Sequence, residues 1–265
     1  MNHRAPLISL LCMTLPPLAP AATAFMLGAF VATSASAQSV TEWSTETRTT
    51  LSFHVNVAAV QRLLPPGWTV APSAAAANRG GNLNVVLIER QLVLDGQGKL
   101  LRTGTSRYVV LAVPARNAAN EANTVVVSGL SPEGPGAYSA YLTAVVARVE
   151  RSASGQGEEA GEATEHWEFA AASGERLELR LSYRRATPVR SHIETKVRSG
   201  SHPEFTRTYR IDQAADVLRG AASDDRIAAL TFRATGASFA SLFDGTERLL
   251  SVTSLPWYAR EVSVP

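Results

Sequence analysis

The sequence predicts a mostly β fold, a β-rich α+β domain with few helices, on three observations. Apolar and polar residues alternate at period two, most clearly where Leu177, Leu179, Leu181 and Tyr183 interleave with Glu178, Arg180, Ser182 and Arg184. Long β-branched runs recur, as in "NLNVVLIERQLVL" (82–94) and "RYVVLAVPA" (107–115). Gly, Pro, Asn and Ser clusters punctuate these runs, and helical periodicity is almost absent.

The elements follow in order. Residues 1–37 carry Arg4 as their only strong charge, are largely apolar and end in "ATSASAQ". Ala35-Ser36-Ala37 places small residues where a signal peptidase reads, so cleavage before Gln38 and export to the periplasm or medium are expected. Pro16-Pro17 interrupts the apolar segment and argues against a spanning helix. The domain is then 38–265, one unit without internal repeats. "TLSFHVN" (50–56) reads as a strand with Leu51, Phe53 and Val55 on one face. A short helix over 57–64 presents Val57, Val60, Leu63 and Leu64, and Pro65-Pro66-Gly67 stops it, with Trp68 placed to pack back. That apolar face suits the mouth of a barrel or the end of a sheet. Strands are expected at 82–94, at 107–115 (ended by Pro114), at 123–130 and at 141–150. A hairpin joins 165–172 to 175–184 across Ser173-Gly174, after a polar Gly-rich loop at 154–164. Strands at 205–212, 226–236 and 248–255 complete the set, and a second helix is expected over 213–219, capped by Asp212.

Charge and cysteine content narrow the function. Without Arg4 the chain has 24 basic and 23 acidic side chains, which gives no reason to expect nucleic acid or an anionic membrane as partner. Cys12, in the leader, is the only cysteine, so the exported domain has no disulfide, thiolate nucleophile or cysteine-bound metal. His166 and Glu168 share a strand face, but no third ligand stands at a recognisable spacing, and neither metal nor cofactor is expected. No nucleophile elbow, phosphate loop or dinucleotide fingerprint is present.

The strand followed by "VAAVQRLLPPGW", the long strand after it, and "YVVLAVPARN" with Val113-Pro114-Ala115-Arg116 resemble the start of the acetoacetate decarboxylase-like superfamily. The resemblance runs from about Leu51 to Glu150. It implies a single closed, cone-like antiparallel β-barrel with short flanking helices and a central apolar pocket. It also implies a lysine amine that forms a Schiff base with a β-keto acid, on the segment after the "VP" strand. The matching "GPGAYSAYLTAVVARVE" has no lysine. The chain's two lysines, Lys99 in "DGQGKL" and Lys196 in "ETKVRS", read as solvated amines. The family's acidic residue on the "VP" strand is replaced by Tyr108.

The expectation is therefore a small-molecule binding protein for a mostly apolar organic acid or ketone, without Schiff-base catalysis. Arg48, Arg107 and Arg116 are candidates for holding a carboxylate, since a guanidinium stays charged and bonds it through two parallel hydrogen bonds. Tyr108, Tyr141 and His54 are candidate polar groups beside apolar surface. Two alternatives stand beside it. One is acid–base catalysis by Tyr108, Tyr141, His54 or Glu89. The other is a structural envelope protein with a filled core. Oligomeric state does not follow from the sequence.

Overall fold

The structure, a computed structural model, describes residues 39–265. The expected leader and its cleavage site lie outside those residues. Among the described residues, no helix is long and apolar enough to cross a membrane.

The domain is mostly β. Its strands are β1 (Ser39–His54), β2 (Trp68–Val70), β3 (Leu83–Asp95), β4 (Ser106–Asn117), β5 (Ala122–Ser131), β6 (Leu142–Ser154), β7 (Glu162–Ala171), β8 (Arg176–Arg184), β9 (Val189–Ser199), β10 (Thr206–Arg219), β11 (Ile227–Thr235) and β12 (Arg248–Val264). They form one 12-stranded sheet in the order β11-β8-β7-β6-β5-β9-β10-β12-β1-β3-β4-β2, with β5 also paired to β4. Pairings therefore run from β1 through β3, β4, β5, β9, β10 and β12 back to β1. The strands β6, β7, β8 and β11 extend from β5 as a second layer.

Along most of β3 and β4 both faces are buried, which explains their unbroken apolar runs. Leu83, Val85 and Leu87 of β3 and Val109, Leu111 and Val113 of β4 face outward. There they pack with Trp167, Phe169, Leu177, Leu179 and Leu181 of the second layer. Period-two alternation turns Ile88, Tyr108, Val110 and Ala112 to the other face, with Tyr138, Tyr209, Tyr258 and Val262. A buried Glu165 carboxylate ties the layers together. It accepts from Thr49 Oγ1 (2.5 Å), Trp167 Nε1 (2.7 Å) and Tyr183 Oη (3.0 Å).

The early landmark is shorter than the sequence suggests. The helix α1 spans Val57–Gln61, capped by the Asn56 side chain, which accepts from the Ala58 and Ala59 amides. Val60 is fully buried but Val57 is exposed, so the expected apolar face is incomplete. Gly67 turns the chain at φ +81°. Gln61 then clamps the return, donating to Trp68 O (2.8 Å) and accepting from Val70 N (3.0 Å). Trp68 is buried in the outward core, and α1 belongs to that core and not to the inner cavity.

Two expectations are corrected, and one strand was not expected. Residues 213–219 are the end of β10, not a helix; β9 pairs on one side and β12 on the other, and two ladders outweigh the local helical propensity of "QAADVLR". Pro114 does not end its strand. Its carbonyl accepts from Ala71 N (2.8 Å), so its nitrogen faces the junction between β3 and β2, where the ladder needs no donor. The strand β9 had no counterpart in the sequence reading.

Candidate functional site

The inner face of these paired strands lines a half-open cavity of about 320 Å³. Its wall comes from β1, β3, β4, β5, β9, β10 and β12 and from the loop between β5 and β6. Val86, Ile88, Val110, Val126, Val197 and Ile211 supply the apolar part. Five of the chain's six tyrosines line it: Tyr108, Tyr138, Tyr141, Tyr209 and Tyr258. No Trp or Phe of the described residues does.

Charge enters through the even-numbered positions of β1. Glu42, Ser44, Glu46 and Arg48 point inward while Leu51 and Phe53, further along, belong to the outward core. Glu46 is 1% exposed. It accepts from Ser44 Oγ (2.9 Å) and Arg48 Nε (2.6 Å), and Arg260 Nη2 lies 3.1 Å from its other oxygen. Arg48 Nη2 is also 2.5 Å from Glu46 Oε2, an ion pair whose angle makes no hydrogen bond. Glu42 accepts from Arg260 (3.0 Å) and Arg90 (3.3 Å). Arg90 reaches on to Glu133, which Arg102 also holds.

The arginines lie over the tyrosine rings. Guanidinium carbons stand 3.6 Å (Arg48 on Tyr258), 4.5 Å (Arg260 on Tyr209) and 5.3 Å (Arg90 on Tyr108) from the ring centroids. Burial pushes the Glu46 carboxyl up, but Arg260 and Arg48 outweigh it and hold it below its ordinary range. Burial lowers the Arg260 guanidinium, and Glu46, Tyr209, Tyr108 and Glu42 together more than reverse this. Burial, with Glu46 adding, pushes the Tyr108 hydroxyl up to about 12. Tyr138 and Tyr141 are raised well above the ordinary phenol value, chiefly by burial. All three are neutral hydrogen-bond donors at pH 7, and Tyr138 and Tyr209 share a short hydroxyl–hydroxyl contact.

Two more donors are left over besides Arg48 Nη2. The Nε atoms of Arg260 and Arg207 are buried and have no hydrogen-bond partner among the described residues. A buried N–H without a partner bears its desolvation cost uncompensated, so such groups mark a place for water or a ligand atom.

Of the six residues singled out from the sequence, Arg48, Tyr108 and Tyr141 line this cavity. The other three do not. Arg107 neighbours Tyr108 on a strand and so points to the opposite face, where it bonds Glu89 (2.9 Å). Arg116 is exposed at the end of β4 and bonds Asn120. His54 Nδ1 lies 3.0 Å from Gly80 O, away from the cavity. Glu89, bound by Arg107 and Arg151, is also outside it. Glu42, Glu46, Arg90, Tyr138, Tyr209, Tyr258 and Arg260 were missed. The signal was present in "EWSTETR", where every second residue of a strand is charged or hydroxylated, and in the "YAR" of β12.

The loop after β5 is the segment where the resemblance would place a lysine. It contributes Glu133, Gly136, Ala137, Tyr138 and Tyr141 to the cavity and no amine. Ser199 Oγ (2.6 Å) and Ser201 Oγ (3.1 Å) donate to Tyr138 O and fix it. Tyr141 is wedged between two glycines: a Cβ on Gly129 would stand 2.7 Å from its ring, and one on Gly136 would stand 2.8 Å from it. Lys99 and Lys196 are exposed and outside the cavity. Among the described residues, no group of three His, Cys, Asp or Glu side chains is placed to hold a metal ion.

No protein-family model matches the sequence, and no curated protein does. Solved structures do match. One is the enduracididine biosynthesis enzyme MppR complexed with the condensation product of pyruvate and imidazole 4-carboxaldehyde. It aligns with a TM-score of 0.52 at 13% identity over 84% of this chain and 87% of that one. Another is an acetoacetate decarboxylase-like enzyme from Sphingomonas wittichii RW1, with a TM-score of 0.51 at 12% identity over 85% of this chain and 91% of that one. At these identities the likeness is one of fold. The chain shares the fold of acetoacetate decarboxylase-like enzymes, with tyrosines and arginines but no lysine around its cavity.

Proposed function

We propose that this protein binds a small organic acid in its cavity, without Schiff-base chemistry, and that the circuit of paired strands is a closed β-barrel. The observation that carries the reading is the buried guanidinium of Arg260. It is balanced by Glu42 and Glu46 yet keeps an unpartnered Nε, beside Arg48 and Arg90. Such a group suits a carboxylate better than a ketone, because a charged acceptor makes the stronger hydrogen bond to a cation. The absence of a cavity lysine argues against an iminium intermediate. The apolar leader and Ala35-Ser36-Ala37 support export; N-terminal sequencing of the exported protein beginning at Gln38 would agree, and an intact Met1 would overturn it.

A second reading is catalysis by proton transfer, favoured by the Tyr138–Tyr209 hydroxyl pair inside the cavity. It would rest on tyrosines acting as acids, since His54 and Glu89 lie elsewhere. The filled-core structural alternative is disfavoured by the cavity itself.

The test is a thermal-shift panel on residues 38–265 with short keto acids, hydroxy acids, fatty acids and neutral ketones. A ligand at about 100 times its Kd adds roughly 2.7 kcal/mol. Shifts with acids and none with matched ketones support the reading; a flat panel on folded protein overturns it. Turnover of a binding acid, lost in Tyr138→Phe, would move the conclusion to the second reading.

A further inference from the structure

We infer that two copies of this chain pair through β9, edge to edge and antiparallel, about a two-fold axis at His192. The inference concerns a surface away from the acid site and does not rest on the acid-binding reading.

The sheet leaves this edge open. Strand β9 pairs with β10 from Val189 opposite Ala215 to Arg198 opposite Thr206, with no bulge. On its other side β5 covers only Val197–Ser199. Among the described residues, no strand pairs with that side over 189–196, and none of those residues is buried. Gly200 N donates to Val126 O and Ser199 N to Phe205 O, so even positions face the open side and odd positions face β10. The N–H and C=O groups of Arg190, His192 and Glu194 therefore point out of the sheet. Such an edge is a template for another strand unless Pro, a bulge or charge blunts it. Residues 189–196 contain neither Pro nor bulge, their charges are of both signs, and Val189 and Ile193 are 71% and 42% exposed.

Charge names the occupant. In an antiparallel ladder, residues whose backbone groups face each other lie directly opposite, so even positions meet even positions. Centring on His192 sets Arg190 against Glu194 of the second copy, twice by symmetry. Centring on Ile193 trades this for Arg190 against Lys196 and His192 against Glu194, and centring on Glu194 sets that carboxylate against itself. Both partners have an atom to spare: Arg190 uses Nε and Nη2 on Asp212, and Glu194 uses Oε2 on Arg210. In the His192 register the two Ile193 side chains become diagonal neighbours and cover each other's apolar surface. The edge strand β11 has Arg233 as its only charge, which sets no such register. Thr195 and Val197 of β9 border the cavity. The second copy thus takes up the ladder where β5 leaves it and braces that part of the wall.

Sedimentation equilibrium of the purified protein from about 1 μM to 1 mM is the test. A dimer is expected, with the amides of Arg190, His192 and Glu194 exchanging more slowly as it forms. Arg190→Glu alone and Glu194→Arg alone each oppose like charges twice and should each raise the dimer Kd about tenfold or more. Mixed, the two variants oppose unlike charges at both positions, so a heterodimer should form at about the wild-type concentration; the mixture also controls for the altered contacts to Asp212 and Arg210. His192→Pro removes an edge N–H that no intrachain partner needs and should give a folded monomer; if it unfolds, the charge variants decide alone. Arg233→Glu on β11 should change nothing. A wild type that stays monomeric throughout, a dimer that neither charge variant weakens, or a mixture that remains as weak as its components overturns the inference.

Discussion

Replacing Glu46 by Gln tests the electrostatic core of the cavity directly. The carboxylate is fully inaccessible, and its two partners, Arg48 and Arg260, have side chains only 11% and 6% exposed. Gln keeps the volume and the bond from Ser44 Oγ but removes the only carboxylate paired with Arg48 and one of the two paired with Arg260. Leaving a buried charge unpaired costs about 3–5 kcal/mol. For a domain of this length each kcal/mol lowers Tm by about 2–4 °C, so Glu46→Gln should melt roughly 6–20 °C below the wild type. Thermal unfolding at pH 7 measures this, with Glu168→Gln as control. That residue pairs with Arg148 on an exposed face, where a pair contributes about 1 kcal/mol or less. The variant should also flatten the acid limb. The folded pKa of Glu46 is depressed, so its stabilisation is complete above the unfolded carboxylate value near 4.5 and is lost as pH falls through the lower folded value. An E46Q protein that melts with E168Q would refute the view that Glu46 is what makes these two buried arginines tolerable.

Other outcomes follow from the same wall. Gly129→Ala should lose about 1–3 kcal/mol or more, because the new methyl meets the Tyr141 ring on one side and the Val109 carbonyl on the other; an unchanged Tm would show that Tyr141 is not gripped. Tyr108 titrates near 12 when folded and near 10 when unfolded, so the unfolded chain releases its proton first and stability falls as pH rises between those values. The contribution is about 3 kcal/mol, and denaturant melts of Tyr108→Phe should lack it; equal alkaline losses in both proteins would refute the assignment. Borohydride added with pyruvate or acetoacetate should leave the intact mass unchanged, since Lys99 and Lys196 are exposed and do not line the cavity; a trapped adduct on either would contradict this.

Much of the β architecture was legible because burial on one face writes period two into the sequence, as in β8 with Leu177, Leu179 and Leu181 inward. The β7–β8 hairpin across Ser173-Gly174 forms as its turn residues require. The strand β9 was invisible because its apolar residues are sparse: Val189 and Ile193 are exposed, and only Val197 of the three is buried. The end of β10 misled because local propensity favours a helix, and the two neighbours that override it are supplied by strands distant in sequence. The site was half legible for a related reason. Tyr108 and Arg48 stand out as polar residues on strands, but a strand with both faces buried does not say which face surrounds a cavity. Arg107 was singled out and Arg90 was not, because only the register of β3 with β4 and β1 shows which of the two faces the cavity.

The strand β5 is joined unequally to its neighbours. It pairs with β4 from Val109 to Arg116, but with β9 only over Thr124–Val126, in parallel, before β6 takes its place at Leu130 and Ser131. By contrast β1 and β12 stay together from Ser39 to His54. Parallel ladders hold slightly less per residue, so the series of paired strands beside the cavity has one short clasp. Thr124 and Val126 on one side of that clasp, and Val197 on the other, also border the cavity. The weakest stitch of the wall and the chamber it closes thus coincide. Among the circuit strands, the amides of this clasp should exchange with solvent first, and a bound acid should slow them most.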